Sequence, residues 1–196
     1  MQSRRGKYNK ITPHSYIVLT PSVRRRQFEE VIAADSPQNI INSAKELIEV
    51  MEVKLFERND LLKCINTFIS VFNQEPWNDE WSAETAYQYL IDFTNTPGFI
   101  GVAAVEDEEI IGFIFGVSKR WWSGEEFFIN EMCVRIKEQK TGVGTALMRY
   151  LMKKLDSAGI SNITLLTDRG KPAEAFYKKI GFTEIDRLVF LNKNIK

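Results

Sequence analysis

Hydrophobic positions repeat regularly from about Met51 onward and predict a series of strands and helices. MEVKLFE alternates apolar and polar residues, as a strand with one buried face does. Helices are predicted over NDLLKCINTFISVF, with an N-cap at Asn59 or Asp60, and over SAETAYQYLIDF, with an N-cap at Ser82. FIGVAAVEDEEIIGFIFGVS is typical of a hairpin with an acidic turn over residues 106–109, and EEFFINEMCVR of a further strand.

The remaining pattern predicts another helix packed on the sheet and a final strand. Apolar residues in VGTALMRYLMKKL recur about every four positions, at Val143, Leu147, Met148, Leu151, Met152 and Leu155. SNITLLT predicts a buried strand, and KPAEAFYKKI a short helix that Pro172 begins and Gly181 ends. FTEIDRLVFLN is expected to close the sheet. The order β-α-α-β-β-β-α-β-α-β predicts an α/β domain over residues 51–196, with a mixed sheet and flanking helices.

Residues 1–50 form a weakly patterned N-terminal extension. Proline-containing stretches separate TPSVRRRQFEE and DSPQNIINSAKELIEV, each of which predicts a short helix. The extension has eight Lys/Arg and five Asp/Glu, a net charge of +3, whereas residues 51–196 have 18 and 21, a net of −3. Four interpretations of this extension remain: a dimer arm, a lid, a basic contact for RNA, or upstream sequence translated from a misassigned start.

Composition excludes several classes of protein. No apolar run approaches the roughly 20 residues of a membrane span, and no apolar segment typical of a secretory signal follows the basic N-terminus. Cys64 and Cys133 have no CxxC partner, so we expect reduced thiols and a cytoplasmic protein. His14 is the only histidine, so residues 51–196 contain neither a Ser-His-Asp triad nor a His-containing metal site, and no metal is expected. The mildly acidic body argues against nucleic-acid binding and suits a cationic small molecule.

The stretch EQKTGVGTALMRYLMKKL places Gly142 and Gly144 where a helix begins. Such a loop can hold a phosphate, because free N–H groups point outward and the helix dipole favours negative charge. The Walker pattern is not met, since Lys140 precedes both glycines, and the dinucleotide fingerprint fails because Leu147 replaces its third glycine. The pattern Q/R-x-x-G-x-G/A is met, beginning at Gln139. Tight helix–sheet packing is the alternative reason for these glycines.

This motif resembles that of the GNAT superfamily of N-acetyltransferases, in which the loop grips the pyrophosphate of acetyl-coenzyme A. MCV, upstream, is similar to the L-x-V end of that family's splayed central strand. AEAFYKKIGF is similar to its second signature, a short helix with an aromatic–Tyr pair. The resemblance extends from Met51 to about Leu191. It implies a GNAT acyl-CoA N-acyltransferase fold with a splayed central strand, and similarity to the branch that includes aminoglycoside N-acetyltransferase-like proteins.

The resemblance also implies which residues bind acetyl-CoA as co-substrate. Backbone N–H groups of the glycine loop would bind the pyrophosphate, and backbone groups of Met132 and Val134 would hydrogen-bond the pantetheine as an added strand does. Where the family often has an asparagine, this chain has Gly170, so that one contact is expected to differ. The implied acetyl-CoA-binding residues are Met132, Cys133, Val134, Gln139, Lys140, Thr141, Gly142, Val143, Gly144, Thr145, Ala173 and Phe176.

Acetylation of an amine requires two proton transfers, and two residues are candidates for them. Tyr177 matches the family's tyrosine near the thioester sulfur and is the candidate acid, unless it is an aromatic of the core. The candidate base is Glu131. It alternates with Phe127, Ile129 and Cys133, which predicts the more apolar face of its strand and a raised pKa. The alternatives for this carboxyl are a structural role or an anchor for the substrate ammonium, and it could accept the proton directly or through water.

Four tryptophans in two clusters are candidate contacts for the amine. NQEPWNDEW contains Trp77 and Trp81 together with Glu75, and KRWWSGEEFF contains Trp121 and Trp122. Aromatic faces beside carboxylates suit a cation, although any single tryptophan could simply supply core area.

The expected function is transfer of the acetyl group of acetyl-CoA to a primary amine of a small, cationic acceptor. Direct attack in a ternary complex is favoured, because Cys133, the one candidate nucleophile, lacks an activating base. The alternatives are a protein or peptide N-acetyltransferase and an acyl-CoA-binding regulator without catalysis. A homodimer is a further expectation, and membrane partners are not expected.

Overall fold

The computed structural model describes residues 16–19 and 50–195. The six strands among these residues form one mixed sheet. The strands follow one another across the sheet in chain order. All neighbouring pairs are antiparallel except the last, which is parallel. They are β1 (Tyr16–Leu19), β2 (Val50–Leu55), β3 (Phe99–Glu106), β4 (Glu109–Trp121), β5 (Gly124–Val134) and β6 (Asn162–Leu165). The predicted mixed sheet and its acidic hairpin turn are therefore confirmed.

Helices pack on both faces of this sheet. The described α-helices are α1 (Leu61–Phe72), α2 (Ala83–Thr94), α3 (Val143–Ser157) and α4 (Pro172–Lys179). The core under α1 and α2 includes Phe113 and Phe115 of β4. The opposite face carries α3, since a Cβ added at Gly112 would lie 3.2 Å from Cδ1 of Leu147. Helix α4 belongs to a second compact unit, residues 166–196.

The predicted helix starts are confirmed at both early helices. Ser82 caps α2, where its Oγ accepts a hydrogen bond from the Thr85 N–H at 3.1 Å. Asp60 stands at the N-cap of α1 but does not cap it through its side chain. Instead its carboxylate accepts from the Glu57 N–H at 2.9 Å and from Nζ of Lys54 at 3.0 Å. The N-cap position of Asp60 was therefore predicted correctly. Its side chain stabilises the turn before the helix.

Three details of the predicted pattern are wrong. The described residues 182–195 contain no strand, so FTEIDRLVFLN does not close the sheet. Alternation alone cannot supply the partner edge that a strand needs, and that edge is not a property of the local sequence. Met152, predicted on the buried face of α3, is 42% exposed. Strand β6 is half-buried rather than buried, with Asn162 exposed, as befits its place at the end of the sheet.

The N-terminal extension contributes a strand that its weak pattern did not predict. Strand β1 pairs with β2, with Tyr16 opposite Val53. The two predicted short helices of the extension, and His14, lie outside the described residues. The division of the chain at residue 51 stays a prediction.

Candidate active site

Strand β5 contains a one-residue bulge immediately before the candidate base. Glu131 lies opposite Phe115, whereas Ile129 lies opposite Gly116, so Asn130 is the extra residue. Side chains alternate along a strand, and an extra residue therefore puts those before and after it on opposite faces of the sheet. The Asn130 Oδ1 atom is buried and has no hydrogen-bond partner among the described residues.

The bulge changes the neighbours of Glu131. The prediction that Glu131 shares a strand face with Phe127 and Ile129 is wrong, because the bulge lies between them. Of the three residues predicted to share its face, only Cys133, beyond the bulge, does so. That face is nevertheless apolar, since it packs with Phe115 and the core under α1 and α2.

A tyrosine of α2 donates a hydrogen bond to Glu131. The hydroxyl of Tyr89 donates to Oε1 of the carboxylate. The Tyr89 ring lies 5.0 Å from that of Trp81 and 5.0 Å from that of Phe93, centre to centre. Sequence reasoning missed Tyr89, although it shares the inward face of α2 with Leu90 and Phe93. A tyrosine on such a face needs a polar partner for its hydroxyl.

The connection between α1 and α2 places a second carboxylate near this pair. Asp79 Oδ2 accepts from Nε1 of Trp81 at 2.9 Å, and the Asp79 N–H donates to the Phe72 carbonyl at 2.9 Å. Asn73 bonds the backbone of Trp81 twice, at 2.8 and 2.9 Å. The connection is thus held at both ends, and it orients Trp81 against Tyr89.

Burial raises the pKa of Glu131 from an ordinary value of 4.5 to about 7. The hydrogen bond from Tyr89 opposes this rise, and the negative charge of Asp79 adds to it. Burial also raises the pKa of Tyr89, and the Glu131 charge raises it further, so the hydroxyl keeps its proton. No Lys or Arg of the described residues forms an ion pair with Glu131 or Asp79. The predicted rise in the pKa of Glu131 is confirmed, and the site is negatively charged above neutral pH.

The raised pKa predicts that Glu131→Gln stabilises the fold in a pH-dependent way. The unfolded carboxyl ionises near 4.5 and the folded one near 7. The folded state therefore binds more protons in this window, and its stability falls as pH rises from about 4.5 to 7. Removing the charge should raise the free energy of unfolding by about 2 kcal/mol more at pH 8 than at pH 5, measured by urea denaturation. Glu84→Gln, at an exposed position in the first turn of α2, should show no such gain in stability; an equal effect of Glu131→Gln at both pH values would contradict the assignment.

Strands β5 and β6 separate next to the bulge. Their pairing covers residues 126–129 of β5 and ends where Ile129 lies opposite Leu165. Strand β5 continues to Val134 beside β4 alone. The predicted splay of the central strand is confirmed.

The splay leaves a defined set of backbone groups facing the gap. The Arg135 N–H donates to the Ile111 carbonyl at 2.8 Å, which fixes the direction of alternate backbone groups along this end of β5. Backbone groups of residues 131 and 133 point toward β4, and those of Met132 and Val134 toward the gap. This is the arrangement that addition of an extended ligand would require.

Gly142 is required by the backbone conformation. As N-cap of α3 it has φ +108° and ψ −6°, in the left-handed region that favours glycine. A Cβ added there would meet nothing within 4 Å, so tight packing does not explain this glycine. Gly144 lies one residue inside α3 and is half-buried.

Side chains close the loop before α3 and leave the helix N-terminus open. Gln139 Nε2 donates to the Val134 carbonyl at 3.1 Å, and Thr141 Oγ1 donates to the Glu138 carbonyl at 2.7 Å. The first bond within α3 comes from the Ala146 N–H, so the three preceding N–H groups, of residues 143–145, have no acceptor in the helix. Within the part of the chain that the structure describes, no side chain caps them, and no acidic residue stands in the first turn. With Lys140 exposed beside it, this end of α3 suits an anion.

Helix α4 carries the other predicted reacting residue. Tyr177 is buried, with its ring centre 5.3 Å from that of Phe176 and 5.5 Å from that of Phe182. The Gly170 N–H donates to Oε2 of Glu174 at 2.6 Å, which ties the loop before α4 to its first turn. The catalytic role of Tyr177, and the coenzyme contacts of Ala173 and Phe176, stay predictions.

The two tryptophan clusters lie in different places. The Trp81 ring packs against Tyr89, whose hydroxyl donates to Glu131. The Trp77 ring centre lies 5.8 Å from that of Phe72, and Glu75 is exposed. The tip of the β4–β5 hairpin holds Trp121 and Trp122, which are 63% and 90% exposed. Trp121 lies six residues beyond the position opposite Glu131, roughly 20 Å along the strand. The clusters therefore do not form one wall at Glu131, and contacts of these residues with an amine stay predictions.

Two absences from the described residues concern metal binding and membrane crossing. These residues contain no group of three or more His, Cys, Asp or Glu that could hold a metal ion. None of the helices in residues 50–195 is long and apolar enough to cross a membrane. The cytoplasmic location and the homodimer stay predictions.

Comparisons with known proteins agree with this geometry. At the level of structure the chain is similar to meta-AAC0020, an aminoglycoside acetyltransferase from an uncultured soil metagenomic sample that was crystallised in complex with sisomicin. The two share 18% identity with a TM-score of 0.60, and the match covers 74% of this chain and 97% of that one. The chain is also similar to the aminoglycoside N-acetyltransferase AAC(6')-Iy in complex with CoA, with 15% identity, a TM-score of 0.60, and coverage of 73% and 94%. A possible acetyltransferase from Clostridium difficile 630 matches at 16% identity and a TM-score of 0.63, with coverage of 74% and 99%.

At these identities the structural matches establish a shared fold. No curated protein sequence matches the chain. The model of the acetyltransferase (GNAT) family matches residues 60–182, a span that includes the bulged strand, the glycine loop and helix α4. The chain belongs to the acetyltransferase (GNAT) family.

Proposed function

We propose that this protein transfers the acetyl group of acetyl-CoA to a primary amine of a small, cationic acceptor, by direct attack in a ternary complex. The observation that carries the proposal is the Glu131 carboxylate. It is half-buried, has a pKa of about 7, and lies near Asp79 with no basic partner among the described residues. Such a group can accept a proton near neutral pH and attract an ammonium ion.

The residues of β5 and the glycine loop fit acetyl-CoA. The open N-terminus of α3 and the exposed Lys140 suit its pyrophosphate. The direction of the Met132 and Val134 backbone toward the gap suits its pantetheine amides, although the Val134 carbonyl also accepts from Gln139. Support comes from AAC(6')-Iy, which has been crystallised with CoA and with a CoA-acetylneamine bisubstrate analogue. When bound, acetyl-CoA supplies the acetyl thioester.

Two proton movements follow from the residues present. Glu131 accepts the proton that the acceptor ammonium loses, directly or through one water, at the carboxylate oxygen not bonded by Tyr89. The support for assigning the proton of the departing thiolate to Tyr177 is the family motif alone, AEAFYKKIGF, in which this tyrosine stands. Burial, Cys64 and Glu131 raise the pKa of the Cys133 thiol, which disfavours the thiolate that an acyl carrier needs. Direct attack is therefore favoured over a covalent acetyl-enzyme.

A cationic acceptor is favoured by the surroundings of Glu131. Asp79 adds a second carboxylate, and it accepts a hydrogen bond from Trp81, an aromatic residue of the kind that suits a cation. The relatives meta-AAC0020 and AAC(6')-Iy are both named aminoglycoside acetyltransferases, and the first was crystallised with sisomicin. Aminoglycosides are thus the first acceptors to test, beside polyamines, amino acids and peptides.

An amine screen tests the proposal. Free thiol released from acetyl-CoA would be followed with sisomicin, a polyamine, an amino acid and a short peptide, each against an enzyme-free control. We expect release that depends on a polycationic small amine. Release with the peptide alone would indicate a protein N-acetyltransferase, and CoA binding without any turnover would indicate a regulator. Either result contradicts the proposed function.

A further inference from the structure

We infer that Tyr89 is a positioning residue for acetyl transfer: its hydroxyl holds the Glu131 carboxylate in one orientation and directs the free oxygen toward the acceptor. The inference rests on the proposed role of Glu131 as base. It assigns a function to a residue of helix α2 that lies 42 positions before Glu131 in the chain.

The Tyr89 ring is held rigidly by its neighbours. Three aromatic rings surround it, at centre-to-centre distances of 5.0 Å for Trp81, 5.0 Å for Phe93 and 5.8 Å for Phe68. Phe93 meets it edge-on at 83°, whereas the other two are tilted. A ring packed on several sides has one rotamer, so its hydroxyl points in one direction.

The two oxygens of the carboxylate have different partners. Tyr89 donates to Oε1 of Glu131, whereas Oε2 accepts no hydrogen bond from the described residues. The Glu131 side chain is half-buried, not fully enclosed. Oε2 is therefore the oxygen that is left to take a proton from an acceptor amine.

The groups around Glu131 determine how far its carboxyl is ionised. The titratable groups that face it are Tyr89 from α2, Asp79 from the α1–α2 connection, and Cys133 from its own strand, while β4 presents the apolar Phe115. Burial and Asp79 both disfavour the ionised carboxylate, and the Tyr89 hydroxyl is the described group that favours it. Tyr89 thus fixes the orientation of the base and keeps part of it ionised near neutral pH.

Tyr89→Phe tests the inference with the full chain, because it keeps the ring and removes only the hydroxyl. We expect the pKa of Glu131 to rise, measured by a ¹³C NMR titration in which the signal missing from Glu131→Gln identifies this carboxyl. We expect kcat/KM for the amine to fall about tenfold or more at pH 7, as loss of a hydrogen bond to a charged group would cause. The deficit should shrink toward pH 9, where Glu131 is ionised in both proteins, and the KM for acetyl-CoA should not change.

Tyr87→Phe is the matched control. Tyr87 lies on the same helix, is 38% exposed, and makes no hydrogen bond with the described residues. Its variant should keep the Glu131 titration and the pH–rate profile of the unmodified protein. A thermal unfolding curve on each variant shows whether the fold is retained.

The outcomes separate this inference from the proposed function. A Glu131 pKa that does not move in Tyr89→Phe overturns the inference, whatever the activity. A pKa that rises together with a fall in kcat/KM supports it. A pKa that rises while Glu131→Gln retains full activity supports the positioning contact and overturns the assignment of Glu131 as the base.

Discussion

Glu131→Gln is expected to lower kcat/KM for amine acetylation by about 10² to 10³-fold at pH 8, the usual contribution of a general base. Glutamine keeps the size of the side chain and can still accept the hydrogen bond from Tyr89, but it cannot take a proton. In the unmodified protein kcat/KM should rise with pH through an apparent pKa of about 7, because only the ionised carboxylate accepts a proton. The variant should lose this rise.

The control for this variant is binding of CoA. Glu131 directs its backbone toward β4, away from the gap beside Met132 and Val134. The dissociation constant for CoA, measured by calorimetry, should therefore remain within about twofold of its original value. Full activity of Glu131→Gln at every pH would show that another group, or solvent alone, removes the proton.

Gly142→Asp is expected to weaken CoA binding by about a hundredfold. A carboxylate there would stand at the N-terminus of α3, where it would repel a pyrophosphate and compete for the free N–H groups of residues 143–145. The left-handed backbone at Gly142, φ +108°, also makes any side chain unfavourable, by about 1–2 kcal/mol of stability. Calorimetric titration with CoA and thermal unfolding measure the two effects separately.

Two alanine variants separate charge from backbone strain. Gly142→Ala adds only the strain, and should lose stability with a much smaller loss of CoA affinity than Gly142→Asp. Gly159 follows the other end of α3 and is also left-handed, with φ +77° and open space at its Cβ position. Gly159→Ala should cost similar stability and leave CoA binding unchanged. Unaltered CoA affinity in Gly142→Asp would remove the glycine loop from the binding site.

Features with a local cause could be predicted from the sequence. The cap at Ser82 depends on a residue three positions away, and the glycine at the start of α3 on its own backbone angles. The acidic hairpin turn is likewise defined by its neighbours in the chain. For this reason the helix starts, the hairpin and the glycine loop were predicted correctly, and the family motif placed them in the right order.

Features that depend on cross-strand register or on distant partners could not be predicted. The bulge at Asn130 exists because β5 must pair with β4 on both sides of it, and it moved Ile129 to the face opposite Glu131. Tyr89 matters because of a hydrogen bond to a strand that the helix meets only in the folded protein. The final apolar segment has the alternation of a strand, but alternation does not supply a partner.

The environment of Glu131 was thus predicted correctly for an incorrect reason. The apolar face was inferred from Phe127 and Ile129, which lie on the other side of the sheet. The actual burial comes from Phe115 and the core under α1 and α2. Both faces of this strand are covered by helices, so either choice of face would have given a buried carboxyl and a raised pKa.

The most direct test of the central claim is the stoichiometry of the reaction. Acetylated amine, quantified by mass spectrometry, would be compared with free CoA thiol in the same samples, for the unmodified protein and for Glu131→Gln. The account predicts one acetylated cationic amine per thiol released, at a rate that collapses in the variant. Thiol release without an acetylated amine, or equal product formation by both proteins, would contradict it.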